Sequence, residues 1–358
     1  MIIKVWRLNP LLGYNCYNNL IMKSFKLLSP HNYVTDVTAS IEKAKQRIFI
    51  IGLVIAEDEA TQELIEAIFR ARTRGVTVNI AIDTFTFSEF GGFFSPLKYY
   101  HAKSRAASRL ALRLKDAGVT FRWLGGNHKI NPFAGVTHIK WTVVDNVVYS
   151  FGGVNLYKRG IENIDYMFKV IDEWLASKLV HEQQDIIKAD KTPVSYLGAR
   201  FTPKGTDPLG VVYVDSGDRG DSMIYNRACE LATEATHVTF VSQYCPGGRL
   251  SKILRQRSAL IYFNQPRNIK DIFTKVFVAF AQWRYSVRSL YHQKTYLHAK
   301  FILFEMESGE KIALTGSHNF SQLGVSFGTR EVALESSDPD VYAQLEDFFQ
   351  EYIPSRHS

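Results

Sequence analysis

The chain has 358 residues, 46% of them hydrophobic and 22% charged, with a net charge of +8 at pH 7. That length suits two domains of ordinary size with ample core, while the longest apolar run, nine residues at 48–56, falls far short of the ~20 that a membrane-spanning helix needs. Cys16, Cys229 and Cys245 are too few and too scattered for a disulfide framework or a zinc site, which favours a reducing, cytoplasmic setting, and the basic balance points to an anionic partner: nucleic acid or an acidic lipid surface.

The first residues, MIIKVWRLNPLLGYN, are apolar but interrupted by Lys4, Arg7 and Pro10. They lack a signal-peptide core and read as a terminal strand, with an interfacial anchor as the other reading. Val37, Ile41 and Ala44 at helical spacing precede a buried strand at 47–55. A helix at 60–73, with Leu64, Ile65, Ile68 and Ala71 inward, then stops at Gly75 before a strand at 76–82. Phe85, Phe87, Phe90, Phe93, Phe94, Tyr99 and Tyr100 crowd the segment after Asp83, a strand end that borders the ligand cleft in an α/β fold. A mobile insertion of this kind suits an enzyme drawing lipid from a membrane, Lys98, Lys103 and Arg105 meeting phosphates; the competing reading is a cap on the local core.

THIKWTVVDNVVYSFGGVN, residues 137–155, follows. Residues 189–221, with Pro193, Pro203 and Pro208, read as the linker, and the domain boundary is placed at 190, giving lobes 1–190 and 191–358. Beyond it the theme repeats. Ile224, Ala228, Leu231 and Ala235 mark a helix, residues 237–243 a strand, Leu250 a further helix and 259–263 another strand. Residues 272–291, alternating Phe273, Val276, Phe277, Phe280 and Trp283 with Lys275, Arg284 and Arg288, read as an amphipathic helix packed inside, with membrane contact as the lesser reading. LHAKFILFEMESGEKIALTGSHN closes the series at 297–319.

The two quoted segments are copies of one pattern. Each gives His-x-Lys, an acidic residue five positions after the lysine, and Gly-x-x-Asn: His138, Lys140, Asp145, Gly152 and Asn155, then His298, Lys300, Glu305, Gly316 and Asn319. Positions i and i+2 of a strand project to one side, so each His-Lys pair faces a common point. Asp145-Asn146 is a two-residue hairpin signal, and the longer turn around 307–310 does the same job in the second copy. Each return strand then brings an asparagine back beside its His-Lys pair, and Gly152 and Gly316 let backbone come close to a ligand. A phosphodiester needs a nucleophile for phosphorus, a proton for the leaving oxygen and donors for the non-bridging oxygens. Two imidazoles can divide the first two roles as a coupled pair with a bell-shaped pH profile, and two lysines with two asparagines supply the third. No metal or cofactor is called for, since lysines neutralise the phosphate.

This constellation resembles the phospholipase D superfamily, whose hallmark is a doubled His-x-Lys-x4-Asp followed by Gly-(Gly/Ser)-x-Asn. The likeness runs from about His31 to Phe349, with Gly153 and Ser317 at the Gly/Ser position and Glu305 departing from the second Asp. The resemblance implies two similar α/β lobes with mixed, largely parallel sheets flanked by helices, packed face to face about a pseudo-twofold. It implies a phosphohistidine on His138, His298 as general acid and then base, and a structural role for Asp145 and Glu305. It also implies a carboxylate behind each histidine about 30 residues on, at Asp165 and Glu331. The first motif looks like the cardiolipin-synthase branch and the second like the nuclease and helicase-associated branch. The expected function is therefore a phosphatidyltransferase or phospholipase D acting on anionic phospholipid, peripheral at a membrane surface and with no obligate protein partner. A metal-independent nuclease or phosphodiesterase is the alternative, and a membrane-bound scaffold of little turnover the third reading.

Overall fold

A computed structural model describes residues 24–92, 95–125, 135–191, 195–203, 210–269 and 272–354. The readings of the N-terminal stretch, of Phe93 and Phe94, and of the side chains of Phe273 and Phe277 lie outside the described residues. The first half runs β1 (Lys26–Leu28), α1 (Pro30–Lys43), β2 (Arg47–Gly52), α2 (Gln62–Thr73), β3 (Thr77–Asp83), α3 (Phe85–Gly91), α4 (Ala102–Asp116), β4 (Thr120–Leu124), β5 (Trp141–Val144), β6 (Val147–Ser150), α5 (Lys158–Ile161), β7 (Met167–Ile171) and α6 (Glu173–Lys191). The second runs β8 (Ala199–Phe201), β9 (Val211–Val214), α7 (Met223–Glu234), β10 (Ala235–Val241), α8 (Gly248–Gln256), β11 (Ser258–Tyr262), α9 (Ile272–Tyr285), β12 (Phe301–Met306), β13 (Lys311–Gly316), α10 (Gln322–Phe327), β14 (Val332–Ser336) and α11 (Pro339–Tyr352).

These strands make two seven-stranded sheets, β1-β7-β6-β5-β2-β3-β4 and β11-β10-β12-β13-β14-β9-β8. Read in opposite directions the orders superpose: β2 answers to β10, β5 to β12, β6 to β13 and β7 to β14. The internal repeat is therefore one of topology as well as of motif. Both sheets are mixed, and the expected parallel majority is confined to β2-β3-β4 and β10-β11; all other pairings are antiparallel. The cause is local. Each His-x-Lys segment leads into a hairpin, and a tight hairpin can only pair antiparallel.

Alternation along the strands decides which face each side chain serves. In β2, Ile48 and Ile50 face the outer layer with α1, α2 and α4, while Phe49 and Ile51 face inward; in β12, Ile302 and Phe304 point outward toward α7 and α8, and Phe301 and Leu303 inward. The inward residues of both sheets share one core with Leu175 and Leu179 of α6 and Leu345 and Phe348 of α11. Tyr166 ties the halves across that core, its hydroxyl 2.5 Å from Thr315 Oγ1 and donating to the Lys300 carbonyl at 3.2 Å.

Three stretches depart from expectation. Residues 85–91 are no open insertion but helix α3, whose Phe87 is buried against Trp123 and Tyr99 in keeping with the capping reading, while Leu97, Tyr99 and Tyr100 are exposed. The linker contains β8 and β9, both paired into the second sheet, because Val212 and Val214 have an inner face to fill. Helix α9 is not packed inside: it buries Val278 and Ala281 but exposes Val276, Phe280 and Trp283.

Candidate active site

Both His-x-Lys segments precede their strands, and each is clamped by the opposite half. A single parallel bridge pairs Thr137 with Arg330 and another pairs Ile164 with Leu297. The His138 amide donates to the Arg330 carbonyl at 2.8 Å, and the His298 amide to that of Ile164 at 2.9 Å. Between them Ile139 and Ala299 turn into the shared core, so residues i and i+2 of each segment face the other way together, as the spacing predicts.

The clamps decide which carboxylate meets which histidine. Sequence order suggests that each lies behind the histidine of its own half, but the structure crosses them. Asp165 Oδ2 sits 2.6 Å from His298 Nδ1, and Glu331 Oε1 sits 3.2 Å from His138 Nδ1. Because Thr137 runs beside Arg330 and Ile164 beside Leu297, the next residue along each bridge, Glu331 or Asp165, falls against the ring from the other half. Asp165 Oδ1 also accepts from the Gly153 and Tyr166 amides at 3.2 and 2.9 Å, and Glu331 Oε2 from the Ser317 hydroxyl at 2.5 Å. The two Gly/Ser positions of the repeat thus anchor the two carboxylates. With Nδ1 of His298 donating to Asp165, its Nε2 carries the free lone pair. The His138–Glu331 contact lacks the alignment of a hydrogen bond.

Lys140 and Lys300 are both buried, each donating from Nζ to the carbonyl of its own motif histidine, at 2.7 Å for Lys140. Asn155 and Asn319 are buried too, and their side-chain oxygens have no hydrogen-bond partner among the described residues. Buried amides left unpaired are costly unless a ligand completes them. The remaining motif residues lie elsewhere. Asp145, at the far end of the β5–β6 hairpin, accepts from the amides of Lys45, Gln46 and Arg47. Glu305 sits on β12 opposite Lys311. Gly152 and Gly316 make room for the neighbouring strand rather than for a ligand: a Cβ at either would lie 1.9 Å from the Tyr166 carbonyl oxygen or 2.1 Å from that of Val332.

Burial dominates the electrostatics. It pushes His298 down to about 4, Lys300 adding to the fall and Asp165 opposing it. His138 is likewise pushed down by burial, Glu331 opposing and Lys140 and Lys300 adding. Lys300 is pushed by burial down to about 7, and Lys140 is lowered by the same cause. Burial alone would raise Glu331, but His138, His318 and Lys140 outweigh it and hold it below the ordinary range. Charges from both halves enter each balance, so the cluster is one electrostatic unit. A bound phosphodiester anion reverses the sign of the crowding and favours the protonated imidazole and ammonium forms.

Of two residues that the sequence did not single out, His318 belongs to this cluster and Gln243 lies at a strand end. His318 occupies the free position of Gly-Ser-x-Asn; it is buried, accepts the Phe320 amide at Nδ1 (2.8 Å), and adds to the field on Glu331. Gln243, just past the end of β10, donates to the hydroxyls of Tyr244 and Tyr296 at 2.9 and 3.0 Å and leaves its buried Oε1 unpartnered. The strand-end rule applied to 84–100 would have pointed to Gln243 as well.

His318 gives a pH prediction. Burial pushes its imidazole down to about 4. Between that value and about pH 6.5 the unfolded chain binds a proton that the folded chain refuses, so this group costs stability as pH falls through that window. Asp83 and Asp215, raised to about 7 chiefly by burial, act oppositely, their contribution fading as pH rises from about 4 to 7. Whole-protein melting curves mix the two trends, so the measurement is the Tm difference between His318→Gln and the native chain. At pH 7.5 the variant is expected to be less stable by about 1 kcal/mol for an imperfectly replaced hydrogen bond. By pH 5 that deficit shrinks or inverts; a difference independent of pH would show that His318 is not held neutral.

Residues 37–190 match the family model described as cardiolipin synthase, PLD-like domain. No curated protein matches the chain. Among solved structures, a phosphatidylserine synthase of Haemophilus influenzae Rd KW20 shares 14% identity with a TM-score of 0.69, covering 91% of this chain and 85% of that one. A polyphosphate kinase from Porphyromonas gingivalis shares 12% identity with a TM-score of 0.57, covering 91% of this chain and 49% of that one. At such identities the likeness is one of fold, and this chain spans about half the length of the kinase.

Proposed function

We propose that the chain, whose residues 37–190 match a phospholipase D-like model, is a phosphatidyltransferase or phospholipase D that cleaves anionic phospholipid through a phosphohistidine. Its catalytic set is His138, Lys140, Asn155, His298, Lys300 and Asn319, contributed by two lobes with their boundary at residue 190. The observation that carries the reading is the crossed pair of histidine–carboxylate contacts, Asp165 with His298 and Glu331 with His138, beside the buried Lys140 and Lys300.

The steps balance as follows. His138 Nε2 attacks phosphorus while the bond to the departing alcohol breaks, and the alcohol oxygen takes the proton from His298 Nε2. An acceptor hydroxyl, from water or a second lipid, then gives its proton to His298 and displaces phosphorus from His138, restoring both rings. Lys140 and Lys300, helped by the asparagine amides, hold the non-bridging oxygens in a site where burial makes each contact count for more than in water. His298 starts neutral in the empty site; the phosphodiester charge raises its affinity for the proton it must deliver.

The protein is proposed to work at a membrane surface. No helix among the described residues is long and apolar enough to cross a bilayer. The test is incubation of the purified chain with phosphatidylglycerol vesicles with and without an added alcohol, followed by thin-layer separation of the products. The native chain is expected to release or transfer the phosphatidyl group and His138→Ala to lose it. Cutting of single-stranded DNA without lipid turnover would assign the same chemistry to nucleic acid, and activity on neither would leave a scaffold.

A further inference from the structure

A second cationic surface lies between α8 and α9. Arg249, Lys252 and Arg255 of α8 and Arg284 of α9 line a cleft of about 410 Å³, with Tyr285 as part of its wall and no carboxylate among its lining residues. None of the four cations forms an ion pair with a carboxylate among the described residues, and all four are exposed. Other surface cations do have carboxylate partners, as Arg70 has Glu42 and Arg113 has Glu57. Four cations without a carboxylate partner among the described residues, set around one concavity, form a local anion trap.

The same helix carries the apolar feature that contradicts its expected burial. Val276, Phe280 and Trp283, at i, i+4 and i+7, form one stripe of α9, and they are 62%, 55% and 75% exposed. Phe280 and Trp283 pack ring against ring at 5.7 Å. The inward stripe, Val278 and Ala281, already anchors the helix, so the outer stripe is not needed for folding. Lys275 is exposed next to Val276, and Arg284 follows Trp283, so the ridge is flanked by positive charge.

We propose that the α8–α9 face docks the protein on an anionic phospholipid bilayer. Val276, Phe280 and Trp283 enter the headgroup boundary, and the cleft of Arg249, Lys252, Arg255 and Arg284 receives a lipid phosphate. Aromatic rings settle at that depth and basic side chains reach phosphates beside them. The charge complementarity favours an anionic bilayer over an apolar protein partner. The exposed rings lie outside the cationic cleft, whose lining offers Tyr285 as its one aromatic for stacking a base, which favours the bilayer over nucleic acid. This inference rests on the phospholipid reading of the active site and gives that site a route to its substrate.

The test is sedimentation with vesicles of phosphatidylcholine alone or mixed with phosphatidylglycerol, run beside turnover of a short-chain phosphatidylglycerol that stays monomeric in water. The native chain is expected to pellet with the mixed vesicles and not the neutral ones. Phe280→Ser/Trp283→Ser and Arg249→Glu/Lys252→Glu are each expected to weaken that binding by about tenfold or more, with a parallel loss of turnover on vesicles. Turnover of the monomeric lipid stays unchanged, which also shows that both variants are folded, and Trp283→Tyr retains binding. Native-like pelleting of both variants overturns the proposal, as does the native chain's failure to bind mixed vesicles. It is equally overturned by a self-association in solution that Phe280→Ser/Trp283→Ser abolishes, or by binding of an oligonucleotide instead of vesicles. Vesicle binding without turnover of either lipid would sustain the docking face and remove the active-site reading instead.

Discussion

With an aryl phosphodiester as substrate, His298→Ala protein is expected to release one equivalent of phenol and then stall with phosphorus on His138. An aryloxide leaves without a proton, so the first step bypasses the missing acid. The second step does not, because a water or lipid hydroxyl must still be deprotonated by residue 298. With an alkyl substrate both steps need the imidazole, and turnover should fall by about six orders of magnitude, the scale on which removing a catalytic histidine acts. His138→Ala should show the same loss with either leaving group and no burst. The readout is a burst amplitude together with acid-labile, base-stable phosphate retained on denatured protein. Phosphate trapped in His138→Ala protein would exchange the two roles, and phosphate trapped in neither would remove the covalent pathway.

The crossed carboxylates give a second large effect. Asp165→Asn replaces the acceptor for His298 Nδ1–H with an amide that can donate to it, which drives the imidazole to the opposite tautomer and deprives the imidazolium of its counter-charge. Turnover of alkyl substrates is expected to fall by about 10³ to 10⁴. The burst on an aryl substrate should survive, because Asp165 serves the histidine that handles the proton. Glu331→Gln is expected to slow the burst itself, since Glu331 serves His138. Were the carboxylates to act within their own halves, the two variants would exchange phenotypes, so burst rates for the two leaving groups decide the point.

The pattern that made the site legible is local. His-x-Lys on an extended segment, a two-residue turn at Asp145-Asn146 and an asparagine on the return strand are all read from neighbouring positions; the structure couples the charges of His138, Lys140, His298 and Lys300 and leaves the buried side-chain oxygens of Asn155 and Asn319 unpaired among the described residues. Strands 47–52, 77–83, 235–241 and 258–262 were legible for the same reason, being apolar runs with clear stops. The crossing of Asp165 and Glu331 was not, because spacing within a chain says nothing about which segment of the other half it will lie beside; the bridges at Thr137 and Ile164 settle that. Helix α4 escaped notice because its buried stripe includes Ser104, Ala107 and Ala111, whose small side chains give little hydrophobic contrast. The exposed stripe of α9 misled in the opposite direction, since an apolar period reports a face without saying what covers it.

Glu331 lies close to the end of the described chain, and it is the carboxylate that His138 leans on. That contact is a product of tertiary closure and not of the local hairpin: it exists only while β14 lies against the segment that carries His138, as the Asp165–His298 contact exists only while the first half lies against Leu297. Loosening the seam between the halves therefore separates both rings from their carboxylates at once, so the two contacts are kept or lost together.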